Sequence, residues 1–411
     1  MSFSPPDFNR YEAIDEHNWK YDAQRILGEL QALVQQQQSS LSLKEQGDII
    51  STTSVFDGDG PWITSDSRSL ANDILHNFSD PPQSLVVQIL ENNVKPLFRS
   101  NPHPSLNLET GRKLARPAGG PMASQDFYDS QTWKDYPGSS NIVLWCLRNM
   151  PSNAYEGLWH LVIPPIMALL DDYEARYKLL GINLTSVMLE RVPSTVLKRT
   201  GVDSLLRSSL NRSLAHLGSP ETPSLLRGAI STSLSLILLV TTVGSADRFD
   251  QLCGLLGDGI IGSIWPYSSD RLDALLASIE ALPPVVEILG VGCARYLKVL
   301  IAQLVHPLAP TEYEKTSVAL QTSSLRALAA VIDACSERMS HWKGTILNGV
   351  ARCWVTNLDS SPDSFPEGLK QELRHVCFRL AAACPSVRQE EYPRFVAADP
   401  AIFEELLGVA K

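Results

Sequence analysis

The sequence has few charged residues and lacks the motifs of common chemical sites. Asp, Glu, Lys and Arg make up 19% of the 411 residues, against roughly 25% in an average domain. The Lys and Arg side chains are dispersed and the formal net charge is −10. We therefore expect neither nucleic acid nor a membrane as a partner, because binding to phosphates requires clustered cations. A phosphate-binding Walker loop, a G-x-S-x-G motif and an H-E-x-x-H motif are also missing, so we expect no enzymatic activity, no cofactor and no metal.

Disulfide and targeting signals are missing as well. The seven cysteines are an odd number, lie far apart and include no C-x-x-C pair; this indicates reduced core residues of an intracellular protein. The N-terminus has no basic stretch followed by an apolar core, as a secretory signal would. The most apolar run starts at Leu234 and is shorter than the roughly 20 residues that span a bilayer. We expect a cytoplasmic and nuclear protein.

Helical periodicity is what the sequence has in abundance. Apolar residues make up 44% of the chain, and after residue 141 they recur at i, i+3, i+4 and i+7, as at Leu369, Leu373, Val376 and Leu380. Helix pairs restart roughly every 40 residues, the period of HEAT and armadillo repeats, although the self-similarity is weak. The sequence therefore predicts an all-α fold, an α-solenoid of irregular HEAT-like helix pairs.

The texture of the chain predicts three regions. Residues 1–100 read as an N-terminal helical region, 101–140 as a Gly/Pro-rich irregular segment, and 141–411 as the HEAT-like α-solenoid. The middle segment contains several aromatic residues, in which disordered linkers are poor. An ordered segment lying across a surface is favoured, and a flexible linker stays open as the alternative.

Five residues of the middle segment are candidates for binding a partner. Interfaces concentrate their energy in buried aromatic and Arg side chains. We expect Trp133 and Tyr136 to pack against the first solenoid helices and to hold the basic stretch with Arg112, Lys113 and Arg116 outward.

The stretch "LLDDYEARYKLLG" (169–181) predicts a structural elbow between two helices. Pro164 and Pro165 interrupt the hydrogen bonds of the first helix. Asp171 and Asp172 can cap the second helix, where the helix dipole favours negative charge. Arg176 follows within reach of either aspartate. A catalytic carboxylate pair would also require a pocket and an activated partner, and the sequence indicates neither.

Two other stretches imitate known motifs. "GDGIIG" (Gly257–Gly262) satisfies G-x-G-x-x-G, but the preceding residues read as helix, whereas a dinucleotide site follows a strand; we interpret it as a turn between helices. "FDGDGPW" (Phe56–Trp62) begins like a calcium loop but lacks the later ligands, and we interpret it as a turn.

The order of these features resembles a known family. The stretches "NPHPSLNLETGRKLARPAGG", "DFYDSQTWKDYPGSSNIVLWCLRNM" and "LWHLVIPPIMALLDDYEARYKLLGINLTSVMLERVP" are similar to the Tti-two family, the second of the proteins that bind the telomere-maintenance protein Tel-two, and the likeness covers about residues 85–220. The resemblance implies an all-helical solenoid without enzymatic activity. It also implies assembly with the larger HEAT-repeat Tti partner and Tel-two in the TTT cochaperone complex. That complex supports maturation of phosphatidylinositol-3-kinase-related kinases with Hsp ninety.

Other functions remain open on the residues alone. A transport-type solenoid would carry cargo through reversible contacts, but it favours a longer and more regular array with strongly acidic inner helices. Another protein-interaction adaptor would share the same helical texture. A hydrolase hidden in a helical fold would use some of the aspartates.

Overall fold

The chain is mostly helical in the part that the computed structural model describes. That part comprises residues 16–37, 40–100, 102–119, 127–128, 131–268, 270–309, 316–360 and 365–408. The structure is 78% helical with almost no strand, which confirms the predicted all-α, solenoid-like class of helical repeats. Within these residues the only sheet pairs two short antiparallel strands, β1 Leu106–Asn107 and β2 Arg112–Lys113.

Residues 1–210 form the first of two compact units. Its helices are α1 Glu16–Gln37, α2 Leu43–Ser54, α3 Ser65–His76, α4 Gln83–Ile89, α5 Lys95–Phe98, α6 Ser139–Asn149, α7 Tyr155–Leu170, α8 Ala175–Leu189, α9 Ser194–Thr200 and most of α10 Val202–Ser213. A π-helical turn, Leu90–Val94, joins α4 to α5, and 3-10 turns cover Thr132–Asp135 and Ser152–Ala154. Helix α1 packs against α3, α2 against α4, and α7 against α8.

Residues 211–411 form the second unit. Its helices are α11 Thr222–Val240, α12 Ala246–Cys253, α13 Leu272–Glu280, α14 Leu282–Leu289, α15 Leu297–Val305, α16 Val318–Ala334, α17 Lys343–Ser360, α18 Glu367–Ala383, α19 Tyr392–Ala398 and α20 Pro400–Leu407. The π-helical segments are Gly254–Ile264 and Val387–Glu391, and the 3-10 turns are Trp265–Tyr267, Gly290–Tyr296, His306–Leu308 and Ser336–His341. Helix α11 packs against α13, and α16 against both α14 and α18. The predicted boundaries at residues 100 and 140 stay predictions.

The helices bury the faces that the periodicity indicates. The predicted stripe of α18, from Leu369 to Leu380, is buried. All seven cysteines are buried free thiols, as their spacing predicted. Burial raises the pKa of the Cys353 and Cys377 thiols to about 12. These two thiols are therefore protonated at neutral pH and act as small apolar groups in the core.

The interpretation of "GDGIIG" as a turn between helices is wrong. The motif lies inside the π-helical segment Gly254–Ile264, which continues α12 without a break. Its glycines allow close packing instead of a turn: a Cβ at Gly257 would lie 2.6 Å from the Tyr296 hydroxyl, and a Cβ at Gly259 would lie 2.9 Å from Leu214. A helix still precedes the motif, so the geometry of a dinucleotide loop is not formed there.

Two helical segments are longer and more apolar than the sequence analysis anticipated. The run from Leu234 belongs to α11, Thr222–Val240, and it and the segment Leu272–Leu308 pass the length and composition test for a membrane span. Their most apolar windows are 56% and 50% buried within the fold. Core helices pass the same test, so this finding is weak evidence for a membrane.

Candidate partner-binding site

The described residues of the irregular segment pack on the first unit. We use the name strap for residues 102–138, which the structure describes at 102–119, 127–128 and 131–138. Its hairpin turns at Gly111, whose φ of +64° belongs to the left-handed region. The Trp159 indole of α7 donates a hydrogen bond of 2.8 Å to the Gly111 carbonyl. A Cβ at this position would lie 2.7 Å from the Trp159 ring, so both the conformation and the contact favour glycine.

The first anchor of the strap joins His103 to Asp171 at the end of α7. The His103 Nε2 lies 2.8 Å from Asp171 Oδ2, and both side chains are buried. The other ring nitrogen, Nδ1, accepts the Ser105 backbone N–H at 3.2 Å. Because Nδ1 accepts this N–H, Nε2 is the ring nitrogen that donates to the Asp171 carboxylate. The pair is a buried, charge-assisted hydrogen bond.

The second anchor joins Lys134 to the acidic residues that follow α7. Lys134 Nζ lies 2.8 Å from Asp172 and 2.9 Å from Glu174. The same ammonium lies 4.4 Å and 4.8 Å from the ring centroids of Tyr173 and Tyr177, within the range of cation–π attraction. Asp172 is 1% exposed and Lys134 is 19% exposed, so the pair is largely shielded from water.

The protonation of this cluster follows from burial and pairing. Burial lowers the pKa of Lys134, but its hydrogen bonds to Asp172 and Glu174 outweigh burial and raise the pKa above its ordinary value. Burial raises the pKa of Asp172, and the contact with Lys134 offsets this only in part. For Glu174, burial raises the pKa, but the attraction of Lys134 and Arg176 is stronger, so the net pKa is lowered. The Lys134 ammonium therefore favours the ionised form of both carboxylates.

Aromatic packing completes the attachment, through one of the two predicted residues. Trp133 is 2% exposed and stacks on Phe98 at 5.8 Å, and it meets Tyr177 edge-on at 4.8 Å. Its indole N–H donates to the Gln131 side chain at 2.8 Å. Tyr136 is 45% exposed, so the prediction that it packs like Trp133 is wrong. Tyr136 follows the 3-10 turn Thr132–Asp135 as its C-cap residue, and its role in partner binding stays a prediction.

The elbow between α7 and α8 differs from the predicted capping arrangement. Helix α8 begins at Ala175, and Glu174 occupies the N-cap position without a side-chain cap bond. Asp172 accepts the Glu174 backbone N–H at 2.9 Å, and Arg176 pairs with Glu174 at 2.7 Å. The strap supplies His103 and Lys134 as partners of the two aspartates, where the sequence analysis expected Arg176. The acids thus hold the strap in addition to shaping the turn.

The rest of the elbow is built for a close helix contact. Pro164 and Pro165 both lie inside α7. The buried Lys178 of α8 donates to the Leu170 carbonyl at 3.2 Å, which satisfies a C-terminal acceptor of α7. A Cβ at Gly181 would lie only 2.3 Å from the Leu170 backbone nitrogen. Glycine at this position is therefore what allows the two helices to approach.

The basic stretch of the strap lies at the surface of the first unit. Arg112, Lys113 and Arg116 are all exposed. Lys113 donates to the Ser204 hydroxyl at 2.8 Å. Within the described part of the chain, Arg112 and Arg116 make no side-chain hydrogen bond or ion pair. Their role as partner-binding residues stays a prediction.

His103 and Lys134 were missed by sequence reasoning, and their geometry indicates attachment. Both nitrogens of His103 are occupied, one by Asp171 and one by the Ser105 N–H, which leaves no lone pair to activate a nucleophile. Among the described residues no group of three or more His, Cys, Asp or Glu side chains could hold a metal ion. The stretches "NPHP" and "TWKD" contain the two anchors, but nothing in their spacing identifies the partners.

Comparison with known proteins gives two findings. The crystal structure of an engineered protein from a structural genomics programme matches over 96% of this chain and 94% of its own length, with 13% identity and a TM-score of 0.37. So low a score carries no argument. A profile of the Tti2 family matches residues 49–311, which include the strap, both anchors and the elbow, and the chain belongs to the Tti2 family.

Proposed function

We propose that the chain is a non-catalytic scaffold subunit of the TTT cochaperone complex, which acts in the cytoplasm and nucleus. In this role it assembles with the larger HEAT-repeat Tti partner and with Tel-two. The assembly supports the maturation and stability of phosphatidylinositol-3-kinase-related kinases with Hsp ninety. Membership of the Tti2 family, a non-enzymatic cochaperone-complex family, supports the proposal.

The observation that carries the proposal is the anchoring of the strap to the first unit. Two buried polar anchors and the buried Trp133 fix a segment that has no helix face of its own to bury. Such anchoring holds the exposed Arg112 and Arg116 in place before a partner arrives. A preorganised surface loses less conformational entropy on binding than a flexible loop, so it binds more tightly for the same contacts.

The test measures assembly directly. The chain is co-expressed with the larger Tti partner and Tel-two, and the amount of each that co-purifies is compared between variants. Charge reversal in Arg112→Glu/Arg116→Glu should lower recovery of the larger partner by about tenfold. The reason is that the two new carboxylates would repel the partner surface that is complementary to the arginines. The matched control is Lys44→Glu/Lys198→Glu, which reverses two exposed cations of the same unit outside the strap.

A second measurement tests the cellular role. Depletion of the chain should lower the steady-state amounts of the client kinases, and wild type should restore them. The Arg112→Glu/Arg116→Glu variant should fail to do so at equal expression. Full assembly and full rescue by this variant would refute the assignment of the hairpin as the contact surface. Normal kinase amounts after complete depletion would refute the maturation role.

A further inference from the structure

A cleft of the first unit is formed partly by the strap and is separate from its two anchors. Helix α5 and the hairpin turn form two of its walls, and the proline-containing stretch of α7 forms the third. Phe98, Leu108 and Leu161 supply apolar surface. The cleft holds about 370 Å³, including the space open to solvent. The enclosed part is much smaller, about 30 Å³, so the cleft admits at most one side chain of an extended segment and not a whole small molecule, whose sites span roughly 300–1,000 Å³.

The rim of the cleft carries basic side chains that the fold does not use. Lys95, Arg99 and His160 line it. None of the three side chains has a hydrogen bond or an ion pair with any residue in the described ranges. Glu109 lies on the hairpin side as the one acidic lining residue. Unpaired basic side chains around an apolar floor, in a chain of net charge −10, are complementary to a negatively charged occupant.

The two prolines of α7 leave two backbone carbonyls of the cleft-lining stretch without their helical donors. Pro164 and Pro165 have no backbone N–H, so the carbonyls of His160 and Leu161, four residues earlier, cannot receive their helical hydrogen bonds. All four of these residues line the cleft. An occupant with backbone N–H groups can satisfy the carbonyls, which a simple anion cannot do.

We propose that this cleft binds an acidic, extended peptide segment of an assembly partner. An apolar side chain of the peptide packs on Phe98 and Leu108. Its backbone N–H groups donate to the free carbonyls of α7, and its carboxylates lie against Lys95 and Arg99. The inference rests on the proposed function only in assigning the peptide to a partner of the complex.

The experiment uses the purified full chain and fluorescence anisotropy. The probe is a fluorescein-labelled ten-residue peptide of Asp and Glu with one central Phe. Three competitors accompany it: the same peptide with Asn and Gln in place of the acids, one with N-methylated backbone amides on both sides of Phe, and inorganic phosphate. The acidic peptide should bind saturably, and the amide and N-methylated peptides should compete at least about tenfold more weakly.

The variants separate the cleft from general charge attraction. Lys95→Ala/Arg99→Ala should weaken binding of the acidic peptide by about tenfold, whereas Lys44→Ala/Lys198→Ala should leave its affinity unchanged. Glu109→Gln should tighten binding by about twofold, since it removes the one like charge on the rim. This sign reversal is not expected of a variant that merely damages the fold.

Several results overturn the inference. The first is binding of the acidic peptide that does not saturate up to about 1 mM. The second is an amide peptide that binds as tightly as the acidic one. The third is an equal loss of affinity for the acidic peptide in both double variants. Tight binding of a phosphoserine version alone, or complete competition by phosphate at similar concentration, would show an anion site instead of a site for acidic peptides. Co-purification with the larger Tti partner is measured separately, so failure of the peptide assay leaves the proposed scaffold role standing, and the reverse also holds.

Discussion

Replacing Lys134 by Met tests the strap attachment most directly. The change keeps an apolar side chain of similar length and removes the ammonium from Asp172, which is 1% exposed. Breaking a buried ion pair from one side costs about 3–5 kcal/mol, because the remaining charge stays buried without its partner. Asp172 keeps the hydrogen bond from the Glu174 N–H, and Lys134 is 19% exposed. Both facts place the expected cost near the lower end, about 3 kcal/mol.

Native-state hydrogen exchange measures this cost where it arises. The strap amides of Leu114 and Tyr136 are bonded to the Ser105 and Trp133 carbonyls, so they exchange when the strap opens. A loss of about 3 kcal/mol corresponds to exchange about a hundredfold faster, since each 1.4 kcal/mol or so is a factor of ten. The control Lys44→Met alters an exposed lysine outside the strap and should leave these rates unchanged.

A double-mutant cycle shows whether the pair itself is responsible. Adding Asp172→Asn to Lys134→Met removes the stranded charge and should recover about 1–2 kcal/mol of the opening free energy. Rates in Lys134→Met within about threefold of wild type would refute the reasoning, because a shielded carboxylate cannot lose its ammonium at so small a cost. Equal rates in the single and double variants would assign the loss to the aromatic contacts of Lys134 instead.

Three further changes test the elbow and the strap. Gly181→Ala should destabilise the first unit by at least about 2 kcal/mol in chemical denaturation, because the added methyl meets the α7 backbone. Gly157 has open space around it, so Gly157→Ala should instead stabilise the unit by about 0.5–1 kcal/mol. The Glu174 pKa is lowered from 4.5 in the folded state. Its contribution to stability is therefore present above pH 4.5 and is lost as the pH falls through the lowered value. Proteolysis within 101–140 should rise over that pH range in wild type and not in Glu174→Gln. Trp133→Ala should expose the same segment to protease at neutral pH while far-ultraviolet circular dichroism persists, and Tyr136→Ala should not; equal cleavage of both variants would contradict the difference in burial.

Local patterns predicted the helices well and the strap contacts poorly. Periodicity identifies the buried face of a helix such as α18 because the residues that share it are three or four positions apart. The anchors join residues 68 and 40 positions apart, His103 with Asp171 and Lys134 with Glu174. No local rule links such pairs in a single sequence. Arg176 was the nearest cation along the chain and was therefore expected to pair with the aspartates.

The errors at the glycine-rich motif and at Tyr136 have the same physical origin, which is tertiary packing that local sequence does not encode. Glycines normally mark turns, so "GDGIIG" was interpreted as one, but a π-helical segment uses them to admit Tyr296 and Leu214. Trp133 and Tyr136 are equivalent aromatic signals in the sequence. The stacking surface of Phe98 reaches only one of them, and its position depends on how α5 lies beside α7. Propensity and composition contain no information about that placement.

The separation of His103 and Asp171 along the chain also implies a delay between the synthesis of the two residues. During synthesis, the strap leaves the ribosome before the elbow that receives it, since Asp171 follows His103 by 68 residues. At roughly 5–20 residues per second, the strap waits about 3–14 s for its anchor. Trp133 and Phe127, both buried in the finished fold, are made 38 and 44 residues before Asp171, so for them the interval before the elbow appears is about 2–9 s. The newly made chain therefore passes through a stage in which other proteins, chaperones included, can reach the same aromatic residues that later lock the strap in place.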